Sequence, residues 1–288
     1  MSEIYNKGIF GAICGDIIGS SYESAGYQTK DLDFELFTPF SRFTDDTVMT
    51  CAVAQWLLDD PKHRHKTLVE KMQWLGQEFR NRGYGTMFGQ WLDSDNPQPY
   101  GSIGNGSAMR VSPCGFYAKT LDEALNLAQI SAEVTHNSVE GIAGAQAVAA
   151  TIFMLRQGKW FDIISNYLSD NFGYNMDRTS EEIASTYQFD VTCKGSVPEA
   201  IICALEVAKL KDMAGAPYPM TPRHYIKAVR SAVALGGDAD TQAAIAGGIM
   251  GALTRVPDDI AERVSEEILD PLLLDIVEDF NRMMLTKS

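Results

Sequence analysis

Gly236-Gly237-Asp238-Ala239-Asp240-Thr241-Gln242-Ala243-Ala244-Ile245-Ala246-Gly247-Gly248-Ile249-Met250-Gly251-Ala252-Leu253 is the stretch that decides the architecture. From Thr241 to Leu253 apolar residues recur every three or four positions, the spacing of one helix face. Ala243, Ala246, Gly247 and Gly251 keep that helix small-sided. Glycine inside a helix costs about 1 kcal/mol relative to alanine, so its repeated use predicts a helix lying close against another. The same crowding marks Gly8, Gly11, Ala12, Gly15 and Gly19, and again Gly141, Gly144, Ala145 and Ala149. These helices are expected at the centre.

Outward from there, helical periodicity continues in Thr47–Leu58, Leu121–Ala132, Val139–Leu155, Glu199–Lys211, His224–Leu235 and Asp258–Met284, while alternating runs of five or more residues are hard to find. The expectation is an all-α fold. No Pro/Gly/Ser-rich linker divides the chain, so residues 1–288 read as one domain. Gly83–Pro113, with six Gly and three Pro, and Met213–Pro222, with three Pro, look irregular and are expected to be functional or flexible loops.

At 288 residues, with 45% hydrophobic and 22% charged residues, the chain has ordinary globular composition and length for a real core. Its net charge of −14 speaks against a phosphate-tracking nucleic-acid binder, and the basic run Lys62-His63-Arg64-His65-Lys66 reads as a solvated loop after Pro61. The five cysteines are odd in number and without a CxxC pair, as expected of small core residues in a reducing compartment. Gly8–Cys14 is flanked by charge and is no signal peptide, and Ala232–Leu253 contains Asp238 and Asp240. No bilayer-spanning segment and a cytoplasmic location are therefore expected.

The chemistry lies in the carboxylates. Thr44-Asp45-Asp46-Thr47 opens one helix and Asp238-Ala239-Asp240-Thr241 another. Each alone reads as a cap with acids favoured by the helix dipole. If both starts converge, four carboxylates share a small volume, which like-charge repulsion forbids without cations. The donors are all oxygen, which selects hard ions such as Mg²⁺ or Mn²⁺, and four negative charges balance two ions. Asp16, among Ile13, Ile17 and Ile18, is either a structural hydrogen-bonding group or part of the site; Glu23 just beyond it belongs to the site. Gly101-Ser102-Ile103-Gly104-Asn105-Gly106-Ser107 is either a plain turn or a loop suited to a diphosphate or sugar hydroxyl. Thr135-His136-Asn137 lies between two helical patterns.

Taken in order, Gly15-Asp16, Glu23, Thr44-Asp45-Asp46-Thr47, Gly104-Asn105-Gly106-Ser107-Ala108-Met109-Arg110, Thr135-His136-Asn137 and Leu235-Gly236-Gly237-Asp238-Ala239-Asp240-Thr241 resemble the ADP-ribosylglycohydrolase family from about Gly8 to Leu253. The resemblance implies an all-α hydrolase with a centre of two Mg²⁺ or Mn²⁺ ions, cleaving the bond between ribose C1″ of ADP-ribose and an acceptor on a modified protein. It implies metal ligands at Thr44, Asp45, Asp46, Asp238, Asp240 and Thr241, with Asp240 bridging. Gly101, Ser102, Gly104, Asn105, Gly106, Ser107 and His136 would hold the ADP-ribose, and Asp46, then Glu23, would be the base for the attacking water. Arginine-linked ADP-ribose is the favoured substrate, with serine-linked or O-acetyl-ADP-ribose the alternative.

Three features depart from the family pattern: Ser138 in place of a second His, Ser102 in place of an Asp, which is closer to members acting on O-linked ADP-ribose, and an insertion at Lys211–Pro222. Two other readings compete. Prenyl-diphosphate enzymes also carry Asp clusters on helices, but Thr-Asp-Asp-Thr lacks the spacing of a DDxxD motif. A crystallin-like or other non-catalytic ADP-ribose binder shares the fold, but the complete set of metal ligands argues for an enzyme.

Overall fold

A computed structural model describes residues 7–24, 26–209 and 219–287. Among these the fold is all-α, with one isolated β-bridge between Gly104 and Thr192. In chain order the helices are α1 (Phe10–Gly19), α2 (Asp45–Asp59), α3 (His65–Glu78), α4 (Thr86–Leu92), α5 (Gly106–Met109), α6 (Ser112–Tyr117), α7 (Leu121–Glu133) and α8 (Val139–Arg156). Then follow α9 (Phe161–Phe172), α10 (Ser180–Thr186), α11 (Cys193–Ala208), α12 (Pro222–Val233), α13 (Ala239–Met250), α14 (Asp258–Arg263), a π-helical turn at Val264–Ile268, and α15 (Pro271–Lys287).

The small-residue stripes of α1 and α13 face each other. A Cβ on Gly11 would lie 2.4 Å from the Gly247 carbonyl oxygen, one on Gly15 2.1 Å from that of Ala243, and one on Gly19 2.3 Å from that of Ala239. The pairing runs in opposite order along the two helices, so they are antiparallel and the end of α1 meets the start of α13. That register brings Asp16 and Glu23 to Asp238 and Asp240. Tyr225 of α12 closes the far end, its hydroxyl donating to the Gly11 carbonyl at 2.7 Å. Around this pair one buried apolar cluster extends from Ile9 to Phe280 and takes in all five cysteines, which are free thiols.

Several expectations need correction. Gly83–Pro113 is not irregular throughout: it holds α4, α5 and the start of α6. In α4 only Phe88, Trp91 and Leu92 point inward, and seven residues are too few to display a period. Asp258–Met284 is not one helix. Leu269 is extended, and Asp270 caps a new helix at Pro271, its carboxylate accepting from the Leu272 N–H at 2.9 Å. α11 starts at Cys193, because the Thr192 side chain accepts from the Gly195 N–H, and Pro198 lies inside the helix, in its second turn. Among the described residues one helix, α8, is long and apolar enough to cross a membrane, against expectation; two-thirds of it is buried, with α5, α6, α7 and α11 packed on it. Most of Met213–Pro222, and of the insertion at Lys211–Pro222, lies outside the described residues, and Pro222 itself opens α12.

Candidate functional site

Thr44 is the extended N-cap of α2, its hydroxyl accepting from the Asp46 N–H at 3.3 Å, which leaves Asp45 and Asp46 in the first turn. Asp16 docks this turn onto α1. Its carboxylate accepts from the Thr44 N–H (2.9 Å) and hydroxyl (2.6 Å) and from the Thr47 N–H (3.2 Å) and hydroxyl (2.5 Å). Asp16 therefore has the structural role, and it also stands within the acidic cluster.

At the start of α13, Asp238 accepts from Asn105 Nδ2 at 2.6 Å, the same amide reaching Ser196 Oγ at 3.1 Å. The Thr241 hydroxyl lies 3.4 Å from Asp46 Oδ2, tying the two helix starts together. One oxygen each of Asp16, Asp46 and Asp240 lie within 4.8 Å of one another, as do one each of Glu23, Asp238 and Asp240. Asp240 belongs to both groups. Asp46 Oδ1 is buried without a hydrogen-bond partner.

Burial, then the surrounding carboxylates, hold the Asp46 and Asp240 carboxyls well above the usual range. Burial raises Asp238 despite its hydrogen bonds, and raises Glu23 with help from Asp238. Asp45 is pushed up to about 8, by burial and then by Asp16. Protons or cations must relieve such a cluster. An all-oxygen donor set with an orphaned carboxylate oxygen fits hard divalent ions.

The cluster is the floor of a cavity of about 390 Å³. Glu23, Asp45, Asp46, Asp238, Asp240 and Thr241 line it; Thr44 stands behind, engaged with Asp16. Ser102, Gly104, Asn105, Gly106 and His136 form the other wall, which Asn105 joins to the floor at Asp238, whereas Gly101 and Ser107 are not in the lining. Ser107 is fully buried and donates to the Gly141 carbonyl at 2.7 Å, a packing role that its place in a Gly/Ser/Asn run hid. Gly101 takes a positive φ of 65° and donates its N–H to Asn137 Oδ1 at 2.8 Å. The N–H groups of Gly104 and Asn105 are also used within the protein, by Ser102 Oγ and the Val191 carbonyl. The loop thus has three of its amides engaged within the protein. Its glycines make room for His136: a Cβ on Gly106 would lie 3.1 Å from His136 Nε2. Ser138 caps α8 and donates to the Ser102 carbonyl at 2.6 Å, bracing the same loop.

Tyr100, Met87 and Phe88 also line the wall and carried no signal of their own, whereas Arg110, which lines it too, ends the Gly104–Arg110 motif. For those three, only the glycine and proline content of Gly83–Pro113 pointed to the region. Burial, and then the Arg110 charge, hold the His136 imidazole well below its usual range, so it is neutral.

Similarity to known proteins agrees with this geometry. The chain is similar to ADP-ribosylhydrolase ARH3 of Homo sapiens, 27% identical over 321 residues that cover 86% of this chain and 85% of that protein. The Mus musculus protein of the same name is 26% identical, covering 86% and 84%. A solved ADP-ribosylglycohydrolase-related protein complex superposes with a TM-score of 0.64 over 98% of both chains at 20% identity, a likeness of fold. The family model described as ADP-ribosylglycohydrolase matches residues 4–287, so the chain belongs to the ADP-ribosylglycohydrolase family of glycosidic-bond hydrolases.

Proposed function

We propose that this protein is a hydrolase dependent on two divalent cations, Mg²⁺ or Mn²⁺, that releases ADP-ribose from modified protein side chains in the cytoplasm. The observation that carries the reading is the meeting of two Asp/Thr helix starts around an unpartnered Asp46 oxygen, in a chain of this family. Asp45, Asp46, Asp238, Asp240 and Thr241 would hold the cations, Asp240 being common to both acidic groups, with Thr44 supporting from behind. When bound, such ions neutralise the acidic floor, fix ribose hydroxyls and supply Lewis acidity.

The residues divide the remaining work. Breaking the C1″ bond builds positive charge on the ribose, so an adjacent carboxylate favours it, and water must be delivered to one face with its proton removed. Two carboxylates are candidates for that base, and burial ranks them. Asp46 is 2% exposed and shares Oδ2 with the Thr44 and Thr241 hydroxyls. Glu23 is half-buried at the cavity edge, where a proton can leave to solvent. We therefore place Glu23 first as the base and keep Asp46 as a cation ligand, reversing the order expected from the sequence.

The acceptor we assign is oxygen-linked, as in serine-linked or O-acetyl-ADP-ribose, rather than arginine. Ser102, where an Asp would offer a guanidinium its partner, is neutral and occupied with the Gly104 N–H. Incubation with serine-linked and arginine-linked ADP-ribosyl peptides and with O-acetyl-ADP-ribose, under each cation, tests both points by the free ADP-ribose formed. Release from the oxygen-linked substrates first is expected. Binding without release from any of them would leave a non-catalytic binder and overturn the reading.

A further inference from the structure

Arg110 is 1% exposed in the cavity wall, and the ionisable groups interacting with its charge are Tyr100, Cys114, Cys193 and His136, none a carboxylate. One of its terminal nitrogens donates to the Ser131 carbonyl at 2.7 Å and to Thr135 Oγ1 at 2.9 Å. Thr135 Oγ1 lies 2.7 Å from His136 Nδ1. A guanidinium can only donate, so Thr135 Oγ1 accepts on that side. Among the described residues its own hydrogen then has one acceptor in reach, His136 Nδ1. The other assignment, with Nδ1–H donating, would strand a hydroxyl hydrogen in a fully buried position. The remaining ring nitrogen, Nε2, faces Gly104 and Gly106 on the cavity wall.

We propose that Arg110, acting through Thr135, is a positioning residue that holds His136 as the neutral tautomer protonated at Nε2, so that the imidazole donates to an anionic oxygen of bound ADP-ribose. The chain runs in one direction, guanidinium to hydroxyl to imidazole to ligand, and each donor polarises the next. It also places a buried positive charge behind a site that takes an anion in a protein of net charge −14. The inference rests on the reading of this cavity as an ADP-ribose site.

Imidazole ¹⁵N spectra and calorimetric titration of ADP-ribose test it together. The chain has only four histidines, and His136→Gln assigns the signal. Because losing buried Arg110 endangers the fold, Thr135 carries the test. In the wild type, His136 is expected with Nδ1 unprotonated. Thr135→Val should shift the ring toward a mixture of tautomers and weaken ADP-ribose binding about ten-fold, the scale of one hydrogen bond, while Thr135→Ser restores both. A wild-type ring protonated at Nδ1, or a Thr135→Val protein with unchanged tautomer and affinity, would overturn the relay. Failure of the wild type to bind ADP-ribose would instead overturn the reading of the site, and the relay's ligand with it.

Discussion

Glu23 and Asp46 differ by position more than by chemistry, and that difference is measurable. Glu23→Gln should lower kcat by about 10²–10⁴-fold, the usual contribution of a general base, while the thermal stabilisation given by Mg²⁺ or Mn²⁺ survives. Asp46→Asn should remove both, since it takes a charge from the floor where Asp16 and Asp240 also converge. Cation-dependent melting curves beside steady-state rates check the pair, and equal behaviour of the two variants would refute the division of roles. The other wall gives a second residue-scale prediction. With Gly106 so close to His136, Gly106→Val should displace the ring and weaken ADP-ribose binding about ten-fold, leaving cation-dependent stability intact; titration calorimetry and melting curves read the two effects. Much of this site was legible, because two Asp/Thr helix starts in one chain imply a shared cause. The partners of Asp16, Asn105 and Ser107 were not, since a hydrogen bond made across 28, 133 or 34 residues of chain leaves no local pattern.

At the scale of elements, the glycine stripes forecast close helix contacts, and the register of the one between α1 and α13 makes the site. A Cβ at Gly15 meets backbone on the partner helix, which has no rotamer to yield. Gly15→Ala should therefore force the helices apart and cost about 3 kcal/mol or more despite alanine's better helix propensity. Gly89, inside α4, has nothing within 4 Å of its Cβ position, and Gly89→Ala should stabilise by about 0.5–1 kcal/mol. Urea unfolding of the two single variants checks the opposite signs. The helices α2, α7, α8, α12 and α13 were legible because they repeat a period, although α3 and α9, of 14 and 12 residues, were not. Nor were the short ones. The seven-residue α10 has its own capping box, Thr179 with Glu182, but is too short to show a period and is also held by a tertiary partner, the Ser180 N–H donating to Glu206 in α11 at 3.1 Å.

For the whole molecule, the acidic floor makes folding stability a function of cation and pH together. Without cations, Asp45, Asp46, Asp238 and Asp240 hold their protons more tightly folded than unfolded, Asp45 up to about 8. Between the ordinary carboxylate range near 4 and that value, the native state binds more protons than the unfolded chain, so stability falls as pH rises. This is the reverse of a protein held by salt-bridged acids, whose stability is lost as pH falls. The cation-free protein is thus expected to melt at a lower temperature at pH 8 than at pH 6. Bound Mg²⁺ or Mn²⁺ keeps the same carboxylates ionised, so the loaded protein should lose that slope. Binding to the native state at about a hundred times Kd adds about 2.7 kcal/mol, which for a chain of this size raises Tm by about 5 °C or more. The gain should widen with pH, because at pH 6 the cations must displace protons that at pH 8 are already leaving. Scanning calorimetry of EDTA-dialysed protein at both pH values, before and after adding each cation, checks the sign. A cation-free protein more stable at pH 8, with no response to either ion, would mean that the four carboxylates do not converge in solution as they do here.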